Sequence, residues 1–585
     1  MGVTPETART WIDDNLITTK AKFWTRANVG EVLPEPPSPL AWDLVWETGT
    51  MLGWRDCAIN RFGFQEDELD EHRPEVLGLF GGYAYLGADF IRVFGERTPG
   101  MSAAAMDAAY FGDHPDVPHY VAELWHTNDA SSATIAGWLG WVMTATEVPE
   151  LLEHAAVGRS LRERRPDLDS LADLDLLARA RSLVPSIRVF FDWHINLSGA
   201  ASIGPGALGQ ICAAVGRPEA AMDLIAGLGG VDSAAPSYAM WTLSRTVRAS
   251  GELNHFFDAG PVGLTQRLRG SDAPEAAEML GSLDEFLYEF GSRGPNEWDI
   301  HAPTWELEPD LVWAAVDRMR LADNDSAPET RQAERSLQRE ALISEISTML
   351  TGDADAQGQF LAAAHSARAM VPGRERTKTN VIRVINESRM AIWKLGERFV
   401  ERGIVRERRD ICLLFADEIE AAIKDGSSWG DVVAARQATL DEISSVEPPF
   451  IINEVVPPVD TWDRVGERAV EAVAVNASLQ GVPGCPGVAR GVARVVLDPS
   501  DPTVLGPGEI LVAPYTDPAW TPLFVPAGAV VVDVGAALSH AIIVSRELGI
   551  PCAVSVLDAT RRIPDGAVVE VDGSTGVVTV ISLPS

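Results

Sequence analysis

Positive charge is scarce in this sequence. Lys and Arg number 48 against 84 Asp and Glu, for a formal net charge of −36 over 585 residues. Duplex nucleic acid and anionic membrane surfaces both need a basic face, so neither is an expected partner. Cysteine is scarce as well. Cys57, Cys212, Cys412, Cys485 and Cys552 are odd in number and form no C-x-x-C pair. That pattern speaks against a disulfide framework and a zinc site, and fits a reducing compartment. No H-E-x-x-H or comparable spacing occurs, so no protein-bound metal is expected. No apolar run reaches membrane-spanning length. The start, Met1-Gly-Val-Thr-Pro-Glu6 with Arg9, Asp13 and Asp14 after it, lacks the apolar core of a signal peptide. The expectation is a cytoplasmic protein.

What is present is a large apolar share, 46%, with 23% charged residues, enough to bury a sizeable core. The length calls for more than one folding unit. Up to about residue 445 apolar residues recur at helical spacing, over 128–145, 172–185, 207–227, 274–290, 307–322, 331–351, 355–370 and 376–403. Of 17 tryptophans, 16 fall before residue 463; most suit a core, and a surplus of rings also suits a planar or apolar ligand. Glu447-Pro-Pro-Phe-Ile-Ile-Asn-Glu-Val-Val-Pro-Pro-Val459 reads as a stiff connector, with a short charged helix expected over 461–474. From Gly481 onward β-branched runs alternate with Gly and Pro, at 493–497, 509–512, 529–533, 552–556, 567–571 and 576–581. One helix is expected from Ser539-His540 to Leu548, stopped by Gly549 with Pro551 beyond. The expected architecture is a large, mainly α-helical domain (1–445), a Pro-rich connector or hinge (446–480) and a small α/β domain (481–585).

His540 stands out chemically. Ser539 is a suitable N-cap residue, which puts His540 in the first turn of its helix. Outward N–H groups and the helix dipole favour negative charge there, so a phosphoryl group on the imidazole would be stabilised. Gly535-Ala-Ala before it leaves a tight approach with little side-chain bulk. A neutral imidazole is nucleophilic near pH 7 and leaves readily from phosphorus.

Three ordered segments surround it: Gly481-Val-Pro-Gly-Cys-Pro-Gly-Val-Ala-Arg-Gly491, then Val512-Ala-Pro-Tyr-Thr-Asp-Pro-Ala-Trp-Thr-Pro-Leu-Phe524, then Val534-Gly-Ala-Ala-Leu-Ser-His540 through Pro551. Together they closely resemble the swivelling phosphohistidine domain of phosphoenolpyruvate-utilising enzymes. The resemblance implies that His540 carries a phosphoryl group, with Gly535 and Ser539 in the phosphohistidine loop. Ala536 departs from the family's usual second glycine.

Another stretch carries chemistry of its own. In Gly373-Arg-Glu-Arg-Thr-Lys378, Arg374 and Lys378 share a helix face, with Glu375 beside it, and Pro372-Gly373 suits a helix start. Two fixed cations can hold a phosphoryl group in flight, and Glu375 can take a hydroxyl proton. The set resembles the Arg-Glu-x-x-Lys motif of the rifampicin phosphotransferase family, whose largely helical substrate domain is also suggested by Arg26-Ala-Asn-Val-Gly-Glu-Val-Leu-Pro34. Gly291-Ser-Arg-Gly-Pro-Asn-Glu-Trp-Asp-Ile300 with Pro303-Thr-Trp305 is similar to a further motif of that domain. That likeness implies substrate-binding roles for Arg293, Glu297 and Asp299; Ser292 stands where the family has histidine. Gly204-Pro-Gly-Ala-Leu-Gly209 fits G-x-G-x-x-G but has no preceding strand, so dinucleotide binding is not expected. His194, His255, His301 and His365 are isolated.

No nucleotide-binding loop is recognisable. In the resembled enzymes the histidine is loaded from ATP on an ATP-grasp domain. The implied function is therefore a phosphotransferase component. In it His540 takes a phosphoryl group from a separate ATP-grasp partner holding ATP and Mg2+, as in phenylphosphate synthase, and gives it to a small hydroxyl acceptor. The alternatives are a non-catalytic binding relic, or an enzyme using phosphorylation to drive elimination or condensation.

Overall fold

A computed structural model describes residues 4–12, 17–111, 114–426, 428–467, 470–499, 505–535 and 539–584. The mainly helical part and the small α/β part are both present, as the periodicity indicates. Two long helices form the spine of the helical part, α1 (Val184–Ala214) and α2 (Ala354–Glu401), and they pack along each other. Their contact explains the Gly204 motif. A Cβ on Gly204 would stand 2.6 Å from the backbone nitrogen of Ala367, so only glycine lets the helices touch there. The motif lies inside a helix and cradles no phosphate.

Several expected boundaries shift. The 207–227 periodicity is not one helix: α1 ends at Ala214, and a short helix, Ala220–Asp223, follows Gly216 at φ 76°. Pro372 does not begin a helix. It lies within α2, which runs unbroken for 48 residues. Proline forfeits one backbone hydrogen bond, but burial of α2 against α1 and its neighbours outweighs that loss. Among the described residues of 461–474 there is no charged helix. A 3-10 turn, Val459–Thr461, leads instead to a bridge between Val446 and Arg464.

The helical part also holds a four-stranded antiparallel sheet that periodicity does not reveal. Its strands are β1 (Phe23–Thr25), β2 (Leu77–Phe80), β3 (Tyr83–Gly87) and β4 (Ile451–Asn453), in the order β2-β3-β1-β4. Thus part of the Pro-rich stretch is ordered: Trp24 pairs with Ile452. Arg26 is buried beside this sheet and donates to the carbonyls of Ala84, Leu33 and Pro34.

The α/β part has eight strands: β5 (Ser478–Gln480), β6 (Val482–Cys485), β7 (Val488–Val495), β8 (Ile510–Ala513), β9 (Ala529–Val532), β10 (Cys552–Val554), β11 (Val568–Asp572) and β12 (Val577–Ser582). Their order is β5-β12-β11-β7-β8-β9-β10-β6, with β7 through β10 parallel. The parallel strands read as continuous apolar runs because both faces are covered. Ile510, Val512 and Val531 face Val569 and Ile563 of the same domain. Leu511, Val530 and Val532 face the opposite way, into a core shared with Met240, Trp241 and Trp313. Helix α3 (His540–Leu548) ends at Gly549, φ 66°, as expected. It is buried along almost its whole length, since the helical part covers the side its own sheet does not. This shared packing sets where His540 points.

Candidate functional site

His540 is the first residue of α3 and is 9% exposed. Ser539 occupies the N-cap position in extended conformation, but its hydroxyl makes no capping bond and has no partner among the described residues. Gly535 is required by space: a Cβ there would stand 2.8 Å from Cβ of Val554. Ala536, the departure from the family loop, lies outside the described residues. Both ring nitrogens of His540 are engaged, Nδ1 with the Thr516 hydroxyl at 3.0 Å and Nε2 with the Thr521 hydroxyl at 3.1 Å. A neutral imidazole has one donor and one acceptor, so one threonine donates to the ring and the other accepts from it. Burial, reinforced by the charges of Lys378, Arg293 and Arg374, holds the imidazole well below the ordinary histidine pKa. The ring is therefore neutral, the nucleophilic form.

The three cations come from the helical part. Arg293 forms a buried, two-bond pair with Glu297, at 2.7 and 3.1 Å, and donates to the Thr379 hydroxyl at 2.8 Å. Lys378 reaches the same carboxylate, with Nζ 3.4 Å from Glu297 Oε1. Arg374 lies 3.4 Å from Glu375, whose other oxygen accepts from the Ser233 hydroxyl. Arg374, Glu375 and Lys378 thus sit in the interior of α2, so the N-terminus of their own helix, at Ala354, adds nothing to their charge. The loop after Gly291 is fastened from behind. Arg389 donates to the carbonyls of Glu297 and Asp299 at 2.7 and 3.0 Å, and Trp393 donates to that of Ile300 at 2.8 Å. Asp299 is buried, and its carboxylate accepts from the N–H and hydroxyl of Ser38, at 2.6 and 2.7 Å. It anchors the Ser38 loop to this one.

The structure therefore gathers His540, Arg293, Glu297, Arg374, Glu375 and Lys378 at one junction, with Asp299 behind it. It adds residues that sequence reasoning did not single out. Asp517 of the α/β part accepts from the backbone N–H of Asn296 at 2.9 Å and of Ala519 at 2.8 Å. Burial raises its carboxyl to about 6, with Glu297 adding to the rise and the two N–H donors and Lys378 opposing it. Thr516, Asp517 and Thr521 all belong to the 512–524 segment that carries the family likeness, which was their only signal. His194, isolated in sequence, stands on α1 beside α2 with Nδ1 3.1 Å from the Thr377 hydroxyl. Among the described residues no cluster of His, Cys, Asp or Glu suits a metal ion, and no helix is long and apolar enough to cross a membrane.

Comparison with known proteins places these residues. Residues 194–375 match the rifampicin phosphotransferase fourth domain, and residues 505–576 match the mobile domain of PEP-utilising enzymes. An uncharacterized phosphotransferase of Bacillus subtilis, YvkC, is 27% identical over 353 residues, 59% of this chain and 41% of the relative. An uncharacterized protein of Mycobacterium tuberculosis H37Rv is 32% identical over 313 residues, 54% of this chain and 33% of the relative. A rifampicin phosphotransferase of Streptomyces sviceus is 28% identical over 315 residues, 53% and 35% of the two chains. The chain thus spans about a third to two-fifths of the length of these relatives. The histidine lies in one matched segment and Arg293, Arg374 and Glu375 in the other, so the two likenesses reach both sides of the site.

Proposed function

We propose that the chain is a phosphotransferase in which His540 carries a phosphoryl group to a hydroxyl of a small organic acceptor held in the helical part. One observation carries this reading: the neutral imidazole of His540 is docked where Lys378, Arg293 and Arg374 act on it together. Phosphoryl transfer demands positioning and charge neutralisation more than covalent help from the protein. Arg293 and Lys378 share Glu297 in this discharged state. An arriving phosphoryl group competes with that carboxylate for Lys378. The hydroxyl proton passes to a base beside the cations, for which the sequence offers Glu375. The group reaches His540 from an ATP-grasp protein, where ATP and Mg2+ are held, and between loading and delivery the α/β domain moves on the part of the 446–480 segment beyond Arg464, since Ile451–Asn453 is fixed in the helical part's sheet.

The test is incubation with a cognate ATP-grasp protein and γ- and β-labelled ATP. Acid-labile label on wild type and none on His540→Ala is the expected result. Equal label on both sinks the carrier assignment.

A further inference from the structure

Arg374 and Lys378 of α2 act on two imidazoles, those of His540 and His194, and His194 meets α2 directly at Thr377. The hydrogen bonds around His194 fix its tautomer. The Thr377 hydroxyl donates its single proton to the carbonyl of Arg374, at 2.7 Å. Toward His194, 3.1 Å away, that oxygen can only accept. Nδ1 therefore carries the ring proton, and Nε2 presents a lone pair with no partner among the described residues. The ring is kept neutral: burial, then Arg374 and Lys378, lower its pKa to about 3.

Its surroundings are aromatic. The ring centroid is 5.4 Å from that of Phe191 and 5.7 Å from that of Trp298, which in turn lies 5.6 Å from Trp46. The indole N–H groups of Trp298 and Trp46, both buried, have no acceptor among the described residues. Trp11, Trp54 and Trp429 are likewise without acceptors among the described residues; Trp298 packs directly on His194, and Trp46 on Trp298. Glu375, by contrast, already has the Ser233 hydroxyl on one oxygen and Arg374 on the other.

We infer that His194, in place of Glu375, is the base that holds and removes the acceptor's hydroxyl proton, and that the acceptor is a planar compound with an oxygen for an indole N–H. This rests on the carrier reading above. In the step, the N–P bond of phospho-His540 breaks and its electron pair stays on that nitrogen, while the second ring nitrogen keeps its proton. The acceptor oxygen bonds to phosphorus, and its proton moves to Nε2 of His194. A weak base suffices, because in a loose transition state the hydroxyl becomes strongly acidic only as the O–P bond forms.

The test uses the full chain with phenol as probe. His540 is charged with labelled phosphoramidate, and discharge to phenol is compared in wild type, His194→Phe, His194→Gln and Glu375→Gln. The expected result is a loss of about tenfold or more in His194→Phe, partial rescue by His194→Gln, whose amide oxygen can accept in place of Nε2, and a smaller effect of Glu375→Gln. Wild-type discharge by His194→Phe, a larger loss in Glu375→Gln, or a charged wild type that gives nothing to phenol overturns the inference. Imidazole 15N spectra give an independent reading that needs no charged histidine. An unprotonated Nε2 that shifts with phenol supports the assignment; a proton on Nε2, or no response, overturns it. Failure of His540 to take label instead strikes the carrier reading, and the spectra still decide for His194.

Discussion

Asp517 of the α/β domain accepts a hydrogen bond from the backbone N–H of Asn296, two residues past Gly294 in the helical part, at 2.9 Å. It is a direct polar link between the loop that leads to His540's threonine partners and the loop that carries Arg293 and Glu297.

That link is sensitive to pH. The Asp517 carboxyl is raised to about 6 when docked, against about 4 for a free aspartate. Between those values the docked form binds the proton more tightly, so docking strengthens as pH falls through 6 and is weakest above it. Protection factors of amides in 291–299 and 516–520, corrected for the intrinsic pH dependence of exchange, should be larger at pH 5 than at pH 7.5. Asp517→Asn, which removes the titration and keeps one of the two N–H bonds on its single carbonyl oxygen, should flatten the difference.

Removing Lys378 should affect chemistry more than folding. Lys378→Ala is expected to slow delivery from phospho-His540 by roughly 10²-fold, with little change in Tm. Glu297→Gln should do the reverse. It leaves Arg293, 2% exposed, without its counter-charge, and is expected to cost about 3–5 kcal/mol of stability in urea unfolding.

The threonines around His540 should prove unequal. A phosphoryl group on one ring nitrogen displaces that nitrogen's hydroxyl and leaves the other to orient the ring. Thr516→Val and Thr521→Val should therefore differ by about tenfold in charging rate by phosphoramidate, the value of one well-placed hydrogen bond. Equal rates would mean neither hydroxyl orients the ring.

His194 should leave its mark on acid stability. Its native pKa, about 3, lies below the unfolded value of about 6.5. The unfolded chain then binds more protons between those values, and stability falls as pH drops below 6.5. The urea midpoint of wild type should fall more between pH 7.5 and pH 5 than that of His194→Phe.

The local features were legible in sequence. Gly549 stops α3 because the left-handed cap needs glycine, and the β-branched runs at 509–512 and 529–533 read as strands, which the structure places at Ile510–Ala513 and Ala529–Val532. The four-stranded sheet was not legible. Phe23–Thr25 and Ile451–Asn453 are three residues each, too short for a period, and they meet across more than 400 residues of chain. Pro372 misled because local preference treats proline as a boundary, whereas packing along α1 carries the helix past it. Of the cation set, Arg374 and Lys378 were visible as charges at helical spacing and Arg293 only through the family likeness. That His194 and Asp517 join it depends on which helices and loops touch, which no spacing records.

The unbroken course of α2 has a mechanical consequence. At about 1.5 Å per residue, its 48 residues make one beam. Arg374 and Lys378 project from it directly, and Arg389 and Trp393, further along, bolt down the loop that holds Arg293 and Glu297. The cations are thus parts of a single casting and cannot shuffle among themselves. On the carrier reading, the gap between that casting and His540 is what would vary, and the site would work as a clutch, engaged or apart.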